Sequence, residues 1–315
     1  MKKPLIILTG PTAVGKTSLS IALAKAVNGE IISADSMQVY RHMDIGSAKI
    51  RPEEMHGVPH HLVDCLEPDE EFNVVRFQQM AKEAMEGIYA RGRIPVLVGG
   101  TGFYIQAVTG DIDFTVHGED TTYRRMLEEK AKTEGAQVLH EMLAAVDPAS
   151  AEAIHANNVK RVIRALEYYQ QTGKPISQHN EEQRQKESPY NLAYFVLNDD
   201  RSRLYERIDA RIDQMLDEGL IDEVKALKEM GYHKGMVSMQ GLGYKEILSY
   251  LDGTWSLEEA VYILKRDTRH FAKRQITWFK RERQVEWFDK QEFGYDSQAI
   301  LDAMLASLRE KKIIE

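Results

Sequence analysis

Cysteine is almost absent from this chain, since Cys65 is the only one in 315 residues. An internal disulfide and a cysteine-based zinc site both need more than one cysteine, so both are excluded. The sequence has no run of 18 apolar residues, which excludes a membrane-spanning helix. The first predicted strand begins within five residues of Met1, which leaves no space for a signal peptide. We therefore expect a cytoplasmic protein with no membrane attachment.

The overall charge is acidic, with a formal net charge of −8. This balance alone argues against a nucleic-acid partner, but the distribution of basic residues matters more than their sum. Hydrophobic residues make up 43% and charged residues 29%, as in ordinary globular proteins. The length allows one large domain or two smaller ones. No feature of the sequence bears on oligomeric state, and we expect a monomer.

Acidic residues are missing from one place where a nucleotide hydrolase usually has one. The most apolar predicted strand, 94–98, ends in Gly99-Gly100-Thr101-Gly102 with no aspartate after it. A motor or switch protein usually holds its metal with an acid there. The glycines indicate either close approach of the backbone to a ligand, with Thr101 offering a hydroxyl, or tight packing of strand against helix. His60 and His61 adjoin on a predicted strand and face opposite sides, so we assign them no shared metal.

A glycine loop near the N-terminus carries the strongest signal. It follows an apolar run at 5–8 and precedes an amphipathic run at 18–27, and it consists of Gly10, Pro11, Thr12, Ala13, Val14, Gly15, Lys16 and Thr17. Strand, glycine loop and helix in this order form a phosphate-binding loop, in which backbone N–H groups and the helix N-terminus face an anion. Lys16 can reach a terminal phosphate and the Thr17 hydroxyl can ligate Mg²⁺. A chance glycine turn is the disfavoured alternative.

Asp35 is the second candidate site residue. It lies 18 residues after Thr17, just past a predicted strand at 30–33. Ligands of doubly wound sheets bind at the carboxyl ends of the strands, so Asp35 is expected to face the same crevice as the glycine loop. A carboxylate there can accept a proton from a nucleophile or bind Mg²⁺ through water. The alternative is an aspartate that only caps a helix or a turn.

Strands and helices alternate along the first 112 residues, which predicts an α/β fold with a parallel sheet flanked by helices. Residues 123–171 show almost only helical patterns, 172–189 read as a loop, and a strand returns at 192–197. We therefore predict an α/β core at 1–112 and 189–315, interrupted by a helical insertion at 113–188. The remaining elements are predicted at 59–64 (strand), 73–90, 220–230, 244–251 and 257–283 (helices), 285–288 (strand) and 297–309 (helix).

Arginines recur every four residues on a predicted helix at Arg203, Arg207 and Arg211. Such a stripe is typically solvated or paired with nearby acids, here Glu206 and Asp213. The functional alternative is that at least one arginine neutralises a departing diphosphate.

A second basic cluster lies at 265–283, where eight basic residues face two acidic ones. The segment has a net charge of +6 and leaves −14 for the rest of the chain. Such segregation indicates a polyanionic partner. Phe271, Trp278 and Phe279 are interleaved, and their helical spacing favours core packing over base stacking. Smaller basic groups occur at 124–125 and 160–164.

Taken together, the motifs resemble those of the bacterial tRNA dimethylallyltransferases, also called tRNA isopentenyltransferases. The matching segments span nearly the whole chain and lie at 10–17, 35–49, 59–62, 98–102, 160–167, 241–246 and 273–279. Longer eukaryotic members carry an additional zinc finger, for which this chain is too short and lacks the cysteines.

The resemblance implies a P-loop NTPase-like parallel sheet flanked by helices, with an inserted helical domain that binds tRNA. It implies transfer of a dimethylallyl group from dimethylallyl diphosphate to N6 of adenosine 37, next to the anticodon, with release of diphosphate. The implied cofactor is Mg²⁺, held by Thr17, and the implied partners are the tRNA anticodon stem-loop and the prenyl donor. The glycine loop would bind the diphosphate or a nucleotide such as ATP.

Roles for single residues also follow from the resemblance. Asp35 matches the base that takes the N6 proton, and Thr12 and Arg211 match further catalytic positions that hold the diphosphate. The matching tRNA-contacting positions are Asp35, Ser36, Met37, Gln38, Thr101, Tyr123, Val159, Lys160, Arg161, Val162, Ile163, Gln240, Gly243, Tyr244 and Lys245. At 240–245 the family often has Arg-Cys-Val-Gly-Tyr-Arg where this chain has Gln-Gly-Leu-Gly-Tyr-Lys, so the detailed readout there stays open.

Other function classes also account for part of the pattern. A small-molecule kinase would hold ATP in the glycine loop and use Asp35 to activate a hydroxyl, but it leaves the basic segments unexplained. A nucleotide-controlled RNA-binding module would bind both ligands without turnover. A related enzyme would prenylate free adenine nucleotides instead of tRNA.

Overall fold

The computed structural model describes residues 2–114 and 122–315. Its centre is a six-stranded sheet in which every pairing is parallel. The strands in chain order are β1 Lys3–Thr9, β2 Gly29–Ser33, β3 His60–His61, β4 Ile94–Gly99, β5 Tyr190–Asn198 and β6 Val285–Asp289. Their order across the sheet is β3-β2-β4-β1-β5-β6. The predicted α/β class with a parallel sheet flanked by helices is confirmed.

Continuous apolar runs form the central strands because both faces of the sheet are covered. In β1 the side chains of residues 5–8 are all fully buried. Thr9 at the end of β1 is level with Gly99 of β4 and Val196 of β5, and Ser33 of β2 is level with Val98. The segments that follow β1, β2, β4 and β5 therefore leave the sheet at one edge.

The helices are α1 Lys16–Ala26, α2 Val74–Ala90, α3 Gly102–Thr109, α4 Thr122–Glu134, α5 Ala136–Val146, α6 Pro148–Ala153, α7 Val159–Thr172, α8 Ile176–Gln185, α9 Arg201–Asp217, α10 Leu220–Glu229, α11 Tyr244–Leu251, α12 Leu257–Phe279 and α13 Ser297–Glu310. Side-chain caps explain several starts, since Asn73 and Ser256 accept hydrogen bonds from the first turns of α2 and α12. Short 3₁₀ turns occur at Pro52–Met55 and Ser238–Gln240. None of the described helices is both long and apolar enough to cross a membrane.

Contacts divide the chain into two compact units. The first contains Met1–Thr109 and Ser188–Glu315 and holds the sheet, and the second contains Gly110–Glu187. The second unit is built from α4–α8 around its own apolar core, which includes Leu127, Leu139 and Leu166.

Two sequence predictions were wrong in detail. The segment 172–189 was predicted to be a loop but contains α8, which has no buried residue and therefore shows no apolar periodicity. Polar side-chain pairs one turn apart, such as Gln178 with Glu182, support this helix instead. The strand predicted at 59–64 is only two residues long because Leu62 and Asp64 adopt positive φ angles of 60° and 57°.

A buried carboxylate ties the outer strands to the end of α2. Glu30 of β2 is 1% exposed and accepts hydrogen bonds from Arg91 at 2.9 and 2.7 Å and from Arg93 at 3.0 Å. The ring Nε2 of His61 lies 2.7 Å from the same carboxylate. These contacts, led by the hydrogen bonds from Arg91, lower the pKa of Glu30 to about 2. His60 does not share this contact, and its ring Nδ1 lies 2.8 Å from the carbonyl oxygen of Val58.

We expect Glu30→Gln to lower the free energy of unfolding at neutral pH by about 3 kcal/mol, the equivalent of the pKa shift. Because the folded pKa lies below the ordinary value of 4.5, this stabilisation is present above pH 4.5 and is lost as the pH falls toward about 2. Urea denaturation of both proteins at pH 7 and pH 3 measures the difference. Glu86→Gln is the control, because Glu86 pairs with Lys3 at the surface. Equal losses for the two variants would contradict the assignment.

Candidate active site

The glycine loop, residues 10–17, joins β1 to α1 as the sequence predicts. Gly10 has φ = 146°, and a Cβ atom there would lie 2.2 Å from the carbonyl oxygen of Leu197. Gly15 has φ = 98° and directly precedes α1. Both positions need glycine, the first because the backbone of β5 is so close and the second because of its left-handed conformation. The loop is thereby fixed against the edge of the sheet.

Lys16 is folded back over this loop. Its Nζ donates hydrogen bonds to the carbonyl oxygens of Gly10 and Pro11 at 2.9 and 2.8 Å. Loss of solvent around the ammonium group lowers the pKa of Lys16 to about 8, and the negative charge of Asp35 partly offsets this effect. An ammonium group has three donors, so one N–H remains for an anion in the loop.

Asp35 lies two residues beyond β2 and faces the same cavity as the glycine loop. Its Oδ1 accepts a hydrogen bond from the backbone N–H of Met37 at 2.8 Å. One carboxylate oxygen therefore serves a local turn, which is the alternative that the sequence left open, while the residue also lines the cavity. The turn holds the carboxylate in place relative to the sheet.

The glycines after β4 serve close packing. A Cβ atom at Gly99 would lie 2.2 Å from the carbonyl oxygen of Ala34, and one at Gly102 would lie 2.3 Å from the Trp278 ring. Close packing between protein segments therefore accounts for glycine at these two positions, but the contacts join β4 to the segment after β2 and α3 to α12, not a strand to a helix. Thr101 lines the same cavity as Asp35 and the glycine loop, and its backbone N–H donates to the carbonyl oxygen of Ala34 at 3.2 Å.

These segments surround one cavity of about 770 Å³, the strand-end cavity. The glycine loop follows β1 and Asp35 follows β2, with β4 between them, so the two strands are roughly 10 Å apart. Arg211 of α9 also lines the cavity. Burial lowers the pKa of Arg211, and the charge of Asp35 opposes that shift. The cavity therefore has a cationic end at Lys16 and a carboxylate further along.

Comparison with known proteins places this chain in a family. The sequence matches the model of the family described as IPP transferase over residues 38–282, and that described as isopentenyl transferase over residues 3–64. A tRNA dimethylallyltransferase of Lachnoclostridium phytofermentans is 66% identical over 99% of this chain and 100% of its own length. The chain belongs to the tRNA dimethylallyltransferase family. The resemblance read from the motifs is confirmed.

Further members are similar over nearly their full length. A tRNA dimethylallyltransferase of Carboxydothermus hydrogenoformans is 53% identical over 92% of this chain and 93% of its own. The crystal structure of the tRNA isopentenylpyrophosphate transferase from Bacillus halodurans superposes with a TM-score of 0.74 at 48% identity, covering 99% of this chain and 98% of that one. A eukaryotic dimethylallyltransferase acting on tRNA superposes with a TM-score of 0.78 at 32% identity, covering 91% of this chain and 74% of that one.

Most predicted tRNA-contacting residues of the sheet-bearing unit line the strand-end cavity. They are Asp35, Ser36, Met37, Gln38, Thr101, Gln240, Gly243 and Lys245. Tyr244 is the exception and a correction, because it is fully buried and its hydroxyl is hydrogen-bonded to Glu223. It has no surface with which to contact a tRNA directly.

The predicted contacts in the helical unit divide in the same way. Lys160 and Arg161 are exposed in the first turn of α7. Val162 and Ile163 are buried in the core of that unit, which corrects their assignment as direct contacts. Tyr123 and Val159 are partly buried and pack against the same core. The exposed pair is thus the part of this motif that a polyanion can reach.

The arginine stripe on α9 does not pair as predicted. Asp213 binds Lys265 at 2.5 Å instead of an arginine of the stripe. The guanidinium of Arg203 stacks on Tyr295 at 3.9 Å, and Arg207 lies 3.9 Å from the buried carboxylate of Asp199. Each arginine therefore has different surroundings, and Arg211 interacts electrostatically with Asp35.

The basic residues of α12 fall into two groups. Three are in ion pairs, Lys265 with Asp213, Arg266 with Asp267 and Arg269 with Asp209. Further along, an open cleft of about 430 Å³, the α12 cleft, is lined by His270, Lys273, Arg274, Thr277, Trp278 and Arg281. Arg274 also lines the strand-end cavity, so the two are adjacent.

The aromatic residues of α12 are only partly core residues. Phe279 is fully buried, as predicted. Trp278 is partly buried and lies edge-on to the exposed Phe103, 6.1 Å between ring centroids. Phe271 lines the strand-end cavity. The core interpretation therefore applies to Phe279 and also to Trp278, which packs against the main apolar core while it lines the α12 cleft.

Gln275 is a site residue that the sequence analysis missed. Its side chain is buried, accepts a hydrogen bond from the backbone N–H of Thr12 at 2.9 Å and donates one to the carbonyl oxygen of Gly100 at 3.0 Å. It thus links α12 to the glycine loop and to the segment after β4. Its only sequence signal was a place within the 273–279 motif.

Proposed function

We propose that this protein transfers a dimethylallyl group from dimethylallyl diphosphate to N6 of adenosine 37 in tRNA and releases diphosphate. The observation that supports it best is the strand-end cavity, which is lined by the glycine loop after β1, by Asp35 after β2 and by Arg211 of α9. A phosphate-binding end and a proton-accepting end in one cavity fit a reaction that expels diphosphate and deprotonates an amine. Family membership supplies the substrate class.

The donor end neutralises the leaving group. An allylic C–O bond breaks when charge on the departing oxygens is stabilised, and preorganised donors do this well in a partly dry site. In our proposal these donors are Lys16, Arg211 and the backbone N–H groups of residues 13–17, since Pro11 has no N–H and the N–H of Thr12 donates to Gln275. The loop would then work as it does in P-loop NTPases, with diphosphate in the place of a nucleotide's terminal phosphates.

The residues present fit a Mg²⁺ ion. Thr17 and Asp35 bring oxygen atoms to the cavity, and Mg²⁺ in enzymes is usually held by one or two such groups together with substrate phosphates and water. The described part of the chain has no group of three or more His, Cys, Asp or Glu that could hold a metal, which agrees with this sparse mode. When bound, Mg²⁺ would neutralise part of the diphosphate charge.

The part of the cavity beside Asp35, the acceptor end, would bind the nucleobase. An exocyclic amine is a weak nucleophile, and in our proposal Asp35 accepts the N6 proton as the new C–N bond forms and the C–O bond to diphosphate breaks. An adenine in an anticodon loop must leave its stack to enter such a cavity. The helical unit would bind the anticodon stem-loop through exposed residues such as Lys160 and Arg161. We also propose that the protein acts as a monomer in the cytoplasm.

Labelled substrates test this proposal directly. Purified protein is incubated with Mg²⁺, labelled dimethylallyl diphosphate and unmodified tRNA, with free adenine nucleotides and with ATP in parallel reactions. We expect label in tRNA only. Label in free nucleotides would identify the related nucleotide prenyltransferase, and phosphate transfer from ATP would identify a kinase.

The α12 cleft gives a prediction for tRNA affinity. Neutralising Lys273 and Arg281 together (K273Q/R281Q) should weaken tRNA binding. It should also reduce the slope of log K for tRNA binding against log salt concentration by about 1.5, because each lost phosphate contact reduces that slope by roughly 0.7–0.9. Filter binding at several salt concentrations measures the slope. Arg266→Gln on the same helix is the control, because Arg266 is paired with Asp267. Equal slopes for wild type and the double variant would exclude the cleft from tRNA binding.

A further inference from the structure

The loop at residues 44–48 forms a wall of the strand-end cavity and is held by one carboxylate. Gly46, Ser47 and Ala48 line the cavity. Glu223 of α10 accepts hydrogen bonds from three successive backbone N–H groups, those of Asp44 at 2.9 Å, Ile45 at 2.7 Å and Gly46 at 3.1 Å. Successive N–H groups that converge in this way form an anion-binding nest. In this chain the anion is a side chain from a distant helix.

Tyr244 completes the same cluster. Its hydroxyl donates to Glu223 at 2.8 Å and accepts from the backbone N–H of Ser47 at 3.1 Å. Its ring packs against Gly46, where a Cβ atom would lie 2.6 Å from the ring carbon Cζ. Burial and the adjacent Glu223 carboxylate raise the pKa of Tyr244 well above its ordinary value, so the hydroxyl keeps its proton. Four consecutive residues of the loop are therefore fixed by two side chains.

The loop in turn orients Gln38, which also lines the cavity. The side-chain amide of Gln38 donates to the carbonyl oxygen of Ala48 at 3.3 Å and accepts from the Ser33 hydroxyl at 3.2 Å. With one partner on each side, the amide can point only one way. A shift of the loop would release the Ala48 contact and let the amide rotate.

All of these groups lie on the acceptor side. Gln38 and the loop follow β2, with Asp35, whereas the glycine loop follows β1 on the other side of β4. Lys49 fixes the far end of the loop through the Tyr40 carbonyl at 2.6 Å and Asp64 at 2.9 Å. A change at Glu223 should therefore alter the wall beside Asp35 and leave the cationic end intact.

We propose that Glu223 and Tyr244 are positioning residues for the acceptor nucleobase. They hold the 44–48 loop in place, and the loop in turn holds the Gln38 amide in the orientation that receives the nucleobase. This inference rests on the proposed function, because it assigns the Asp35 side of the cavity to the acceptor. It also explains why Tyr244 is fully buried although its neighbours Gly243 and Lys245 line the cavity.

Glu223→Gln tests the proposal. The amide keeps the size but replaces one acceptor oxygen with a donor that faces the N–H groups of the nest, and hydrogen bonds to a charged group contribute about 1.5–3 kcal/mol. We expect KM for tRNA to rise about tenfold or more, with the dissociation constant of dimethylallyl diphosphate within about twofold of wild type. Asp222→Asn removes the same charge at an exposed neighbouring position and should change neither value.

Tyr244→Phe is the second variant and covers the case in which Glu223→Gln fails to fold. It should raise KM for tRNA in the same direction, and the double variant should be no worse than Glu223→Gln alone, because the two side chains act as one unit. Equal loss of donor and acceptor affinity, or unchanged KM for tRNA in folded Tyr244→Phe, would overturn the proposal. A wild-type protein that puts no label into tRNA would instead refute the proposed function.

Discussion

Asp35→Ala is expected to lower the single-turnover rate of prenyl transfer about a hundredfold or more while tRNA affinity changes little. The carboxylate is the proton acceptor for N6 in our account, and proton transfer matters in the reaction step more than in binding. Rapid-quench experiments with enzyme in excess over tRNA and saturating donor isolate that step. Filter binding measures the affinity of the same preparation.

Asp35→Asn separates the two roles of this residue. An asparagine oxygen can still accept the hydrogen bond from the Met37 N–H that Asp35 accepts at 2.8 Å, but the amide cannot take a proton from the substrate. We expect Asp35→Asn to be nearly as slow as Asp35→Ala. If the asparagine variant reacts at the wild-type rate, Asp35 is a turn residue and takes no part in proton transfer.

Arg211→Gln is expected to lower kcat/KM for dimethylallyl diphosphate by a factor on the order of 10²–10³, the range seen when one donor to a developing anion is removed. Arg211 is partly buried at the strand-end cavity and interacts electrostatically with Asp35. Steady-state kinetics with varied donor and saturating tRNA measure the change. The inhibition constant of inorganic diphosphate should rise in parallel, because the same contact is lost.

Arg203→Gln is the matched control. Arg203 lies two helical turns earlier on α9, and its guanidinium stacks on the Tyr295 ring, with 3.9 Å between the guanidinium carbon and the ring centroid. We expect its loss to have a much smaller effect on kcat/KM than the loss of Arg211. Equal effects of the two substitutions would show that the stripe acts only as a general positive charge.

Local patterns allowed much of the fold to be predicted from the sequence. The strand, glycine loop and helix at the N-terminus are specified by neighbouring residues, and α11 was predicted with its observed bounds, Tyr244–Leu251. Helix α8 was missed because its sequence is polar after Ile176 and carries no apolar periodicity. Periodicity detects helices that bury one face, and this one buries no residue.

Contacts between distant segments could not be predicted in this way. Gln275 reaches Thr12 across 263 residues, and Glu223 reaches the Asp44 N–H across 179 residues. No spacing rule connects such pairs, because the topology of the whole sheet brings them together. The same applies to Lys265. Its ion pair with Asp213 neutralises one positive charge of the basic cluster at 265–283.

The most direct test of the central claim is a crystal structure with Mg²⁺ and an unreactive thio analogue of dimethylallyl diphosphate. Our account predicts that the diphosphate lies within the loop of residues 10–17, in hydrogen-bond contact with Lys16 and Arg211, and that the hydrocarbon points toward Asp35. A diphosphate bound in full occupancy at a place remote from both Lys16 and Asp35 would contradict it.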